Sequence, residues 1–476
     1  MKKLITLFFV TAMAVSTYAT HLMGGQIVAT NIGGYDYQIE LTAYRDTIGV
    51  PMGLVADFNV FEQDTSGAWI SLFTSSVNYD TTSGGLMPSV ITVYGVEVYT
   101  FIDTITMPGD GYYAISWDEC CRNGAIINMS NPLSESMKLS TFLTVDSLNP
   151  NSSPSYTTPP VAYLPAHTLW QYNPLPFDPD GDSLAWGLAT PLGLTNPVAG
   201  YEYLSDSAYS DSAAVFSLDS ITGALTWSAN MVGHFVASFV IEEFRNGVQI
   251  GSMRRDMQFI VIPDTSNSMP QISNMQSVPT NSGGYPYIVL SPNQNYQLHL
   301  LASDADVNDV VNMLGFGESF NLTTAPATMN VVPTGNGNEI EGTFSWTPDV
   351  SAVRTTPYLA VFRVSDQMFY FDETIQFEVS MTSSIENNNG FAMENIYPNP
   401  VNNMMYVPVS LEKGAVVTMD IYNILGVKVY QSGEMNFTAG NHLILKNIDL
   451  NSGQYLVSIK DNSGNMLSTE RIVVVK

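Results

Sequence analysis

The chain runs to 476 residues and sets 16 Lys and Arg against 44 Asp and Glu, a formal charge of −28, with two Cys and five His. That length accommodates about three to four domains, each able to bury its own core. A surface this acidic repels phosphate backbones and anionic bilayers, which argues against nucleic acid or a membrane surface as partner and leaves divalent cations as natural ligands for clustered carboxylates.

Lys2 and Lys3 precede an apolar run from Leu4 to Val15, and Thr17-Tyr18-Ala19 follows with small residues at the usual cleavage positions. The pattern predicts a secretory signal peptide over 1–19, cut after Ala19. No later segment approaches the roughly 18 uninterrupted apolar residues of a spanning helix, so no transmembrane segment is expected in the mature chain.

From 20 to 150 the residues alternate. Tyr35 to Leu41, Val55 to Phe61, Ala68 to Phe73, Val90 to Ile105 and Tyr112 to Trp117 read as half-buried strands of an all-β sandwich. The opening His21-Leu22-Met23-Gly24-Gly25, the Tyr44-Arg45-Asp46 triplet and the Cys120-Cys121-Arg122-Asn123 run together resemble an N-terminal module found ahead of immunoglobulin-like repeats in large bacterial surface proteins. Cys120 and Cys121 are the only cysteines. An exported chain meets oxidising conditions, but adjacent Cα atoms lie about 3.8 Å apart across a trans peptide, below the usual disulfide span. A vicinal disulfide and two buried thiols both remain open.

Two units follow, 151–265 and 266–383, and they repeat one another. Asp178-Pro179-Asp180-Gly181-Asp182 aligns with Ser303-Asp304-Ala305-Asp306 and Asp309, and Leu225-Thr226-Trp227 aligns with Phe344-Ser345-Trp346. Val236 to Glu243 aligns with Leu359 to Asp366, and Met257 to Val261 with Ile375 to Val379. Each unit has the length and strand rhythm of a β-sandwich. The acidic loop followed by Gly223-Ala224-Leu225-Thr226-Trp227 resembles the cadherin-like, immunoglobulin-like repeats of bacterial surface proteins; the second copy departs from both motifs. The expected fold class is therefore all-β, with tandem immunoglobulin/cadherin-like sandwiches and a small C-terminal sandwich.

The acidic loops are the candidate sites. Asp178, Asp180 and Asp182 fall on one side of an extended segment, and Gly181 permits a tight turn that could gather them. Calcium takes six to eight oxygens, so further acids are needed, and Glu243 and its counterpart Asp366 stand at the ends of matching strands. The expected ligands are Asp178, Asp180, Asp182 and Glu243 in the first repeat and Asp304, Asp306, Asp309 and Asp366 in the second. The bland alternative is a solvated turn, for which Asp and Gly are favoured anyway. Trp186, Trp227 and Trp346 read as core before they read as a sugar-stacking platform.

After a linker over 384–394, Tyr397-Pro398-Asn399-Pro400 opens a segment of alternating runs that extends to Lys476. Met405 to Val409, Val416 to Tyr422, Val427 to Tyr430, His442 to Leu445, Tyr455 to Ile459 and Arg471 to Val475 are separated by glycines. Pro398, Asn399 and Pro400, then Asp420-Ile421-Tyr422-Asn423 with Gly426, then Leu450-Asn451-Ser452-Gly453-Gln454-Tyr455 and the final Lys476 resemble the type A C-terminal sorting domain of the type IX secretion system. That resemblance implies type IX secretion machinery as a partner, export across the outer membrane, and a surface-bound or released product.

The histidines, His21, His167, His234, His299 and His442, lie in separate segments without paired-ligand spacing, and no serine elbow, phosphate loop or dinucleotide fingerprint appears. The expectation is a non-enzymatic, cell-surface modular protein, an adhesin or structural component with an extracellular glycan or protein ligand. A glycan-binding accessory is the alternative, favoured by exposed tryptophans, with a glycoside hydrolase behind it.

Overall fold

The computed structural model describes residues 20–476 apart from 83–84, 87–94, 157, 196, 213, 264–266, 367, 381–390, 394–395, 424–426 and 463–465. The expected signal peptide, most of the expected linker and Gly426 lie outside the described residues. Contacts divide the chain into two units, 1–380 and 381–476.

The first unit opens with β1 (Leu22–Gly33), β2 (Asp36–Asp46), β3 (Val55–Gln63), β4 (Trp69–Asn78), β5 (Gly85–Leu86), β6 (Val96–Thr106), β7 (Gly111–Cys120) and β8 (Ser136–Val145). Hydrogen bonding orders them β4-β3-β7-β8 and β1-β2-β6-β5. Alternation decides which side chains meet between these layers: on β7, Tyr113, Ile115 and Trp117 are buried, and they share a core with Ile39, Leu41, Phe58, Phe101 and Leu139.

The second stretch supplies β9 (Ser155–Tyr156), β10 (Val161–Pro165), β11 (Trp170–Tyr172), β12 (Pro176–Phe177), β13 (Ser183–Ala189), β14 (Ser217–Leu218), β15 (Leu225–Trp227), β16 (Gly233–Arg245) and β17 (Val248–Ile262). β11-β15-β14 form one layer; β10, β17, β16 and β13 form the other, with β10 parallel to β17. The third stretch repeats this plan, with longer strands in the first layer and shorter ones in the second: β18 (Gln271–Ile272), β19 (Tyr287–Leu290), β20 (Tyr296–Ser303), β21 (Asn312–Gly317), β22 (Thr328–Pro333), β23 (Glu339–Trp346), β24 (Tyr358–Ser365) and β25 (Tyr370–Val379). Its sheets are β18-β20-β23-β22 and β19-β25-β24-β21, with β19 parallel to β25. That is the immunoglobulin-type order, in which the first strand divides between the layers.

These modules are not beads on a string. The long strand β17 pairs with β16 along one edge and, along the other, with β10, with β8 at Gly251 to Met253, and with β1 at Gly25↔Asp256. The sheet therefore runs through the expected boundary at residue 150. The segment there is buried: the Ala29 amide donates to Ser153 Oγ at 2.9 Å and the Asn31 amide to Ser152 Oγ at 3.1 Å. The two repeats in turn share one hydrophobic cluster, including Trp170, Trp227 and Phe259 with Trp346, Phe362 and Phe377. Directional contacts fix the joint: Trp170 Nε1 donates to Tyr370 O at 3.1 Å, the Asn173 amide to Asp372 Oδ2 at 2.9 Å, and Tyr285 Oη to Asp219 Oδ2 at 2.7 Å.

The C-terminal unit contains β26 (Phe391–Met393), β27 (Met404–Leu411), β28 (Ala415–Asn423), β29 (Lys428–Gln431), β30 (Met435–Phe437), β31 (Gly440–Asn447), β32 (Gly453–Asp461) and β33 (Met466–Val474). One sheet is β26-β27-β31; the other is β29-β28-β32-β33, with β30 also on β28. Met405, Val407, Val417, Ile421, Val457 and Ile472 fill the core.

Candidate cation sites at the module joints

Each acidic loop lies beside the short segment that leads into its own repeat. In the first, Asp178 is buried and its Oδ1 accepts the amides of Asp180 and Asp182, both at 2.9 Å, so the loop folds around this carboxylate. The turn needs Gly181 at φ +83°, a conformation that costs glycine little. Asp180 points elsewhere: its Oδ2 accepts the Ser152 amide at 2.6 Å. Of the four residues expected to converge, Asp178, Asp182 and Glu243 do, with one oxygen from each within 4.8 Å of the others.

Glu243 is fully buried on β16. Its Oε2 accepts from Asn151 Nδ2 at 3.1 Å, while Glu243 Oε1 and Asp178 Oδ2 are buried without a hydrogen-bond donor. Burial and the neighbouring Asp178 charge push the Glu243 carboxyl up, and burial pushes Asp178 up as well. Arg245 supplies the counter-charge. Its Nε lies 2.9 and 3.1 Å from the two oxygens of Asp182, its Nη2 lies 2.5 Å from Asp182 Oδ2, and Nη2 is 4.0 Å from Asp180.

The second loop repeats the frame. The Asp306 amide donates to buried Asp304 Oδ1 at 2.8 Å, the Ser268 amide to Asp306 Oδ2 at 2.6 Å, and Asn267 Nδ2 to Asp366 Oδ2 at 2.7 Å. Here the converging trio is Asp304, Asp306 and Asp309. Asp366 is a neighbour of this trio and not a member of it, and its Oδ1 accepts the backbone amides of Met368 and Phe369. Asp304 Oδ2 is buried with no hydrogen-bond donor. Burial, then Asp366, Asp306 and Asp309, raise the Asp304 carboxyl, and among the described residues none of these four acids makes an ion pair. An orphaned buried carboxylate oxygen facing two further acids suits a hard cation with oxygen ligands.

The three N-terminal motifs meet at the other side of the first joint. The Leu22 amide donates to Cys121 O and the Asn123 amide to Leu22 O, both at 3.0 Å, and Asn123 Nδ2 reaches Asp46 Oδ2 at 3.3 Å. Arg122 and Asp256, both fully buried, form an ion pair at 2.5 Å across the modules. Gly24 is required by this approach, since a Cβ there would sit 2.6 Å from Asp256 O. The Cys120 and Cys121 sulfurs lie against one another at this point. Thr20 Oγ1 donates to Cys120 O at 2.8 Å beside them. The motifs thus build a joint, a role that adjacency in sequence did not signal.

Trp227 and Trp346 are core residues, and Trp186 is nearly so. The aromatic residue that sequence pattern passed over is Trp69, 40% exposed, whose ring centroid lies 5.4 Å from Phe142 and 5.7 Å from Tyr112. It lies on the first edge strand, with Tyr112 and Phe142 on the solvent side of their strands.

In the C-terminal unit the quoted motifs are structural locks. Asn399 Oδ1 accepts the Val473 amide at 2.9 Å and its Nδ2 donates to Arg471 O at 3.2 Å, pinning the turn of Pro398 and Pro400 to β33. Gly453 opens β32, Tyr455 Oη caps Asn451 O at 2.9 Å, and Lys476 Nζ pairs with Asp449 at 2.5 Å. Buried Asp420 is held by Lys460 at 3.0 Å and Lys428 at 3.5 Å.

With this geometry in place, residues 395–475 match the family model described as a secretion system C-terminal sorting domain. The tail is a type IX secretion sorting domain. It marks the chain for export across the outer membrane to the cell surface or the extracellular space. No curated protein matches the chain. Among solved structures, the four N-terminal immunoglobulin domains of a Dscam1 isoform align over 95% of this chain and 99% of theirs, at 11% identity and TM-score 0.21. Two tandem titin immunoglobulin domains align over 48% of this chain and 96% of theirs, at 11% identity and TM-score 0.17. An endo-fucoidan hydrolase of glycoside hydrolase family 107 aligns over 73% of this chain and 42% of its own, at 13% identity and TM-score 0.17. At such scores the immunoglobulin-like assignment rests on the strand order itself.

Proposed function

We propose that the exported chain is a non-catalytic adhesin whose three N-terminal modules form one stiff body. The carrying observation is the exposed Trp69 with Tyr112 and Phe142 on the outer face of the first sandwich. Aromatic side chains in this setting are the usual anchors of protein and glycan recognition. The same cluster favours the glycan-binding alternative over a passive spacer. Calcium is the ion that fits a joint lined by Asp304, Asp306 and Asp309, where it would supply the positive charge that the acids lack and hold the joint closed.

The test is a screen of the purified chain and its Trp69→Ala variant on glycan and surface-protein arrays, with calcium and with chelator. Binding that Trp69→Ala abolishes supports the adhesin, and calcium-dependent binding makes the acidic loops part of it. Silence of the native chain in both conditions refutes it in favour of a structural component, and release of reducing sugar from a bound glycan refutes the non-catalytic reading.

A further inference from the structure

The two acidic loops share a frame down to individual hydrogen bonds. Asn151 and Asn267 hold the strand-end acids Glu243 and Asp366, and Ser152 and Ser268 hold the second loop acids Asp180 and Asp306, both at 2.6 Å. The frames differ two residues beyond the strand-end acid, where the first repeat has Arg245 and the second has Met368.

Arg245 is seated, not merely nearby. Besides gripping both oxygens of Asp182, it donates to Asn151 Oδ1 at 2.8 Å, Asn149 O at 3.1 Å and Pro150 O at 3.3 Å. These are the carboxylate and carbonyl oxygens that a divalent ion at this joint would need, and the planar fork of a guanidinium satisfies them from a fixed position. The remaining pair, Asp178 and Glu243, lie buried beside one another, with Asp178 Oδ2 and Glu243 Oε1 outside the hydrogen bonds of the Arg245 fork. Among the described residues of the second repeat no such cation stands among Asp304, Asp306 and Asp309, and Asp304 Oδ2, on a residue 5% exposed, lies in this cluster without a donor.

We propose that Arg245 is a built-in counter-ion that takes the place of a divalent cation in the first acidic loop, so that the chain binds its calcium in the second loop alone. This rests on reading the loops as calcium sites and says which of them is one. Replacing Arg245 with the residue of the second repeat should then open a further site.

The experiment is calorimetric calcium titration of the full mature chain after chelator stripping, with thermal unfolding to confirm each variant's fold. The native chain should take one ion, lost in the Asp304→Asn, Asp306→Asn double variant and kept in Asp178→Asn. Arg245→Met should take two, the second lost on adding Asp178→Asn; Arg245→Gln serves where Arg245→Met fails to fold. Two ions on the native chain, or one that survives the double variant, overturns the assignment while leaving calcium binding intact. One ion on both Arg245 variants overturns the role of Arg245. No ion on the native chain or either Arg245 variant overturns the calcium reading itself.

Discussion

The Arg122–Asp256 pair gives the sharpest energetic test of the first joint. Both side chains are fully buried, the contact is 2.5 Å, and Arg122 otherwise meets carbonyl oxygens, Ser136 O at 3.2 Å and Leu192 O at 3.0 Å. Removing one partner strands the other charge in a low dielectric, a loss of about 3–5 kcal/mol, whereas replacing both with apolar residues of similar volume is often close to neutral. Asp256→Asn and Arg122→Met should each destabilise the chain by that amount. With about 2–4 °C per kcal/mol for a body of some 150–250 residues, each single variant should lower the melting temperature by roughly 6 °C or more. The Arg122→Met, Asp256→Met double variant should recover most of it. Differential scanning calorimetry of the full chain reads both. A single-variant loss below about 1 kcal/mol, in the range of exposed ion pairs, would show that water reaches the joint and that β17 does not seal it.

Three further outcomes follow from the geometry. Asp178 and Glu243 have carboxyls raised above their unfolded values, so their contribution is fully present below the ordinary carboxylate range and is lost as the pH rises through the folded values. Glu243→Gln should therefore flatten the fall of melting temperature with pH, and an unchanged slope would refute the buried acid pair. Intact mass of the secreted chain should rise by two hydrogens on reduction, localised to the peptide holding Cys120 and Cys121; no shift means free thiols. Asn399→Ala removes two hydrogen bonds to β33 and should cost the C-terminal unit about 1–3 kcal/mol, seen as faster hydrogen exchange at the Val473 amide, while unchanged exchange would mean that the strand holds without the clamp.

Much of the architecture was legible because period-2 alternation reports which face of a strand is buried. The six runs expected between Met405 and Val475 each fall on a strand, β27, β28, β29, β31, β32 and β33, and the aligned Trp227 and Trp346 end matching strands, while Glu243 lies on β16 and its counterpart Asp366 follows the last residue of β24. What pattern could not deliver was pairing between distant segments. Nothing in Val248 to Ile262 announces that its far edge will meet β1 and β8, since one strand can satisfy the same alternation with any neighbour of the right register. The acidic loop shows the same gap at finer scale. An extended segment places Asp178, Asp180 and Asp182 together, but Asp178 instead accepts the amides of the other two and the loop closes on itself, which turns Asp180 toward Ser152. Trp69 escaped notice because exposure of an edge strand is a property of the sheet, not of the strand's own sequence.

The two joints reach rigidity by different physics. The first buries charge: Arg122, Asp256 and Arg255 are all fully enclosed, with the Arg255 guanidinium 3.9 Å from the centre of the Tyr156 ring. Such groups tolerate only the geometry that pairs them, so they fix orientation while adding little net stability. The second buries apolar surface, which is non-directional. Its orientation must come from the few polar contacts at its rim, where Asp372 holds both Arg363 at 2.7 Å and the Asn173 amide. The consequence reaches the aromatic face. Phe142, which packs against Trp69, pairs with Ser252 of β17, so the surface that carries Trp69 continues onto a strand of the first repeat. A ligand that settles there meets one sheet built from two modules. Its footing depends on the joint with the buried ion pair, not on the first sandwich alone.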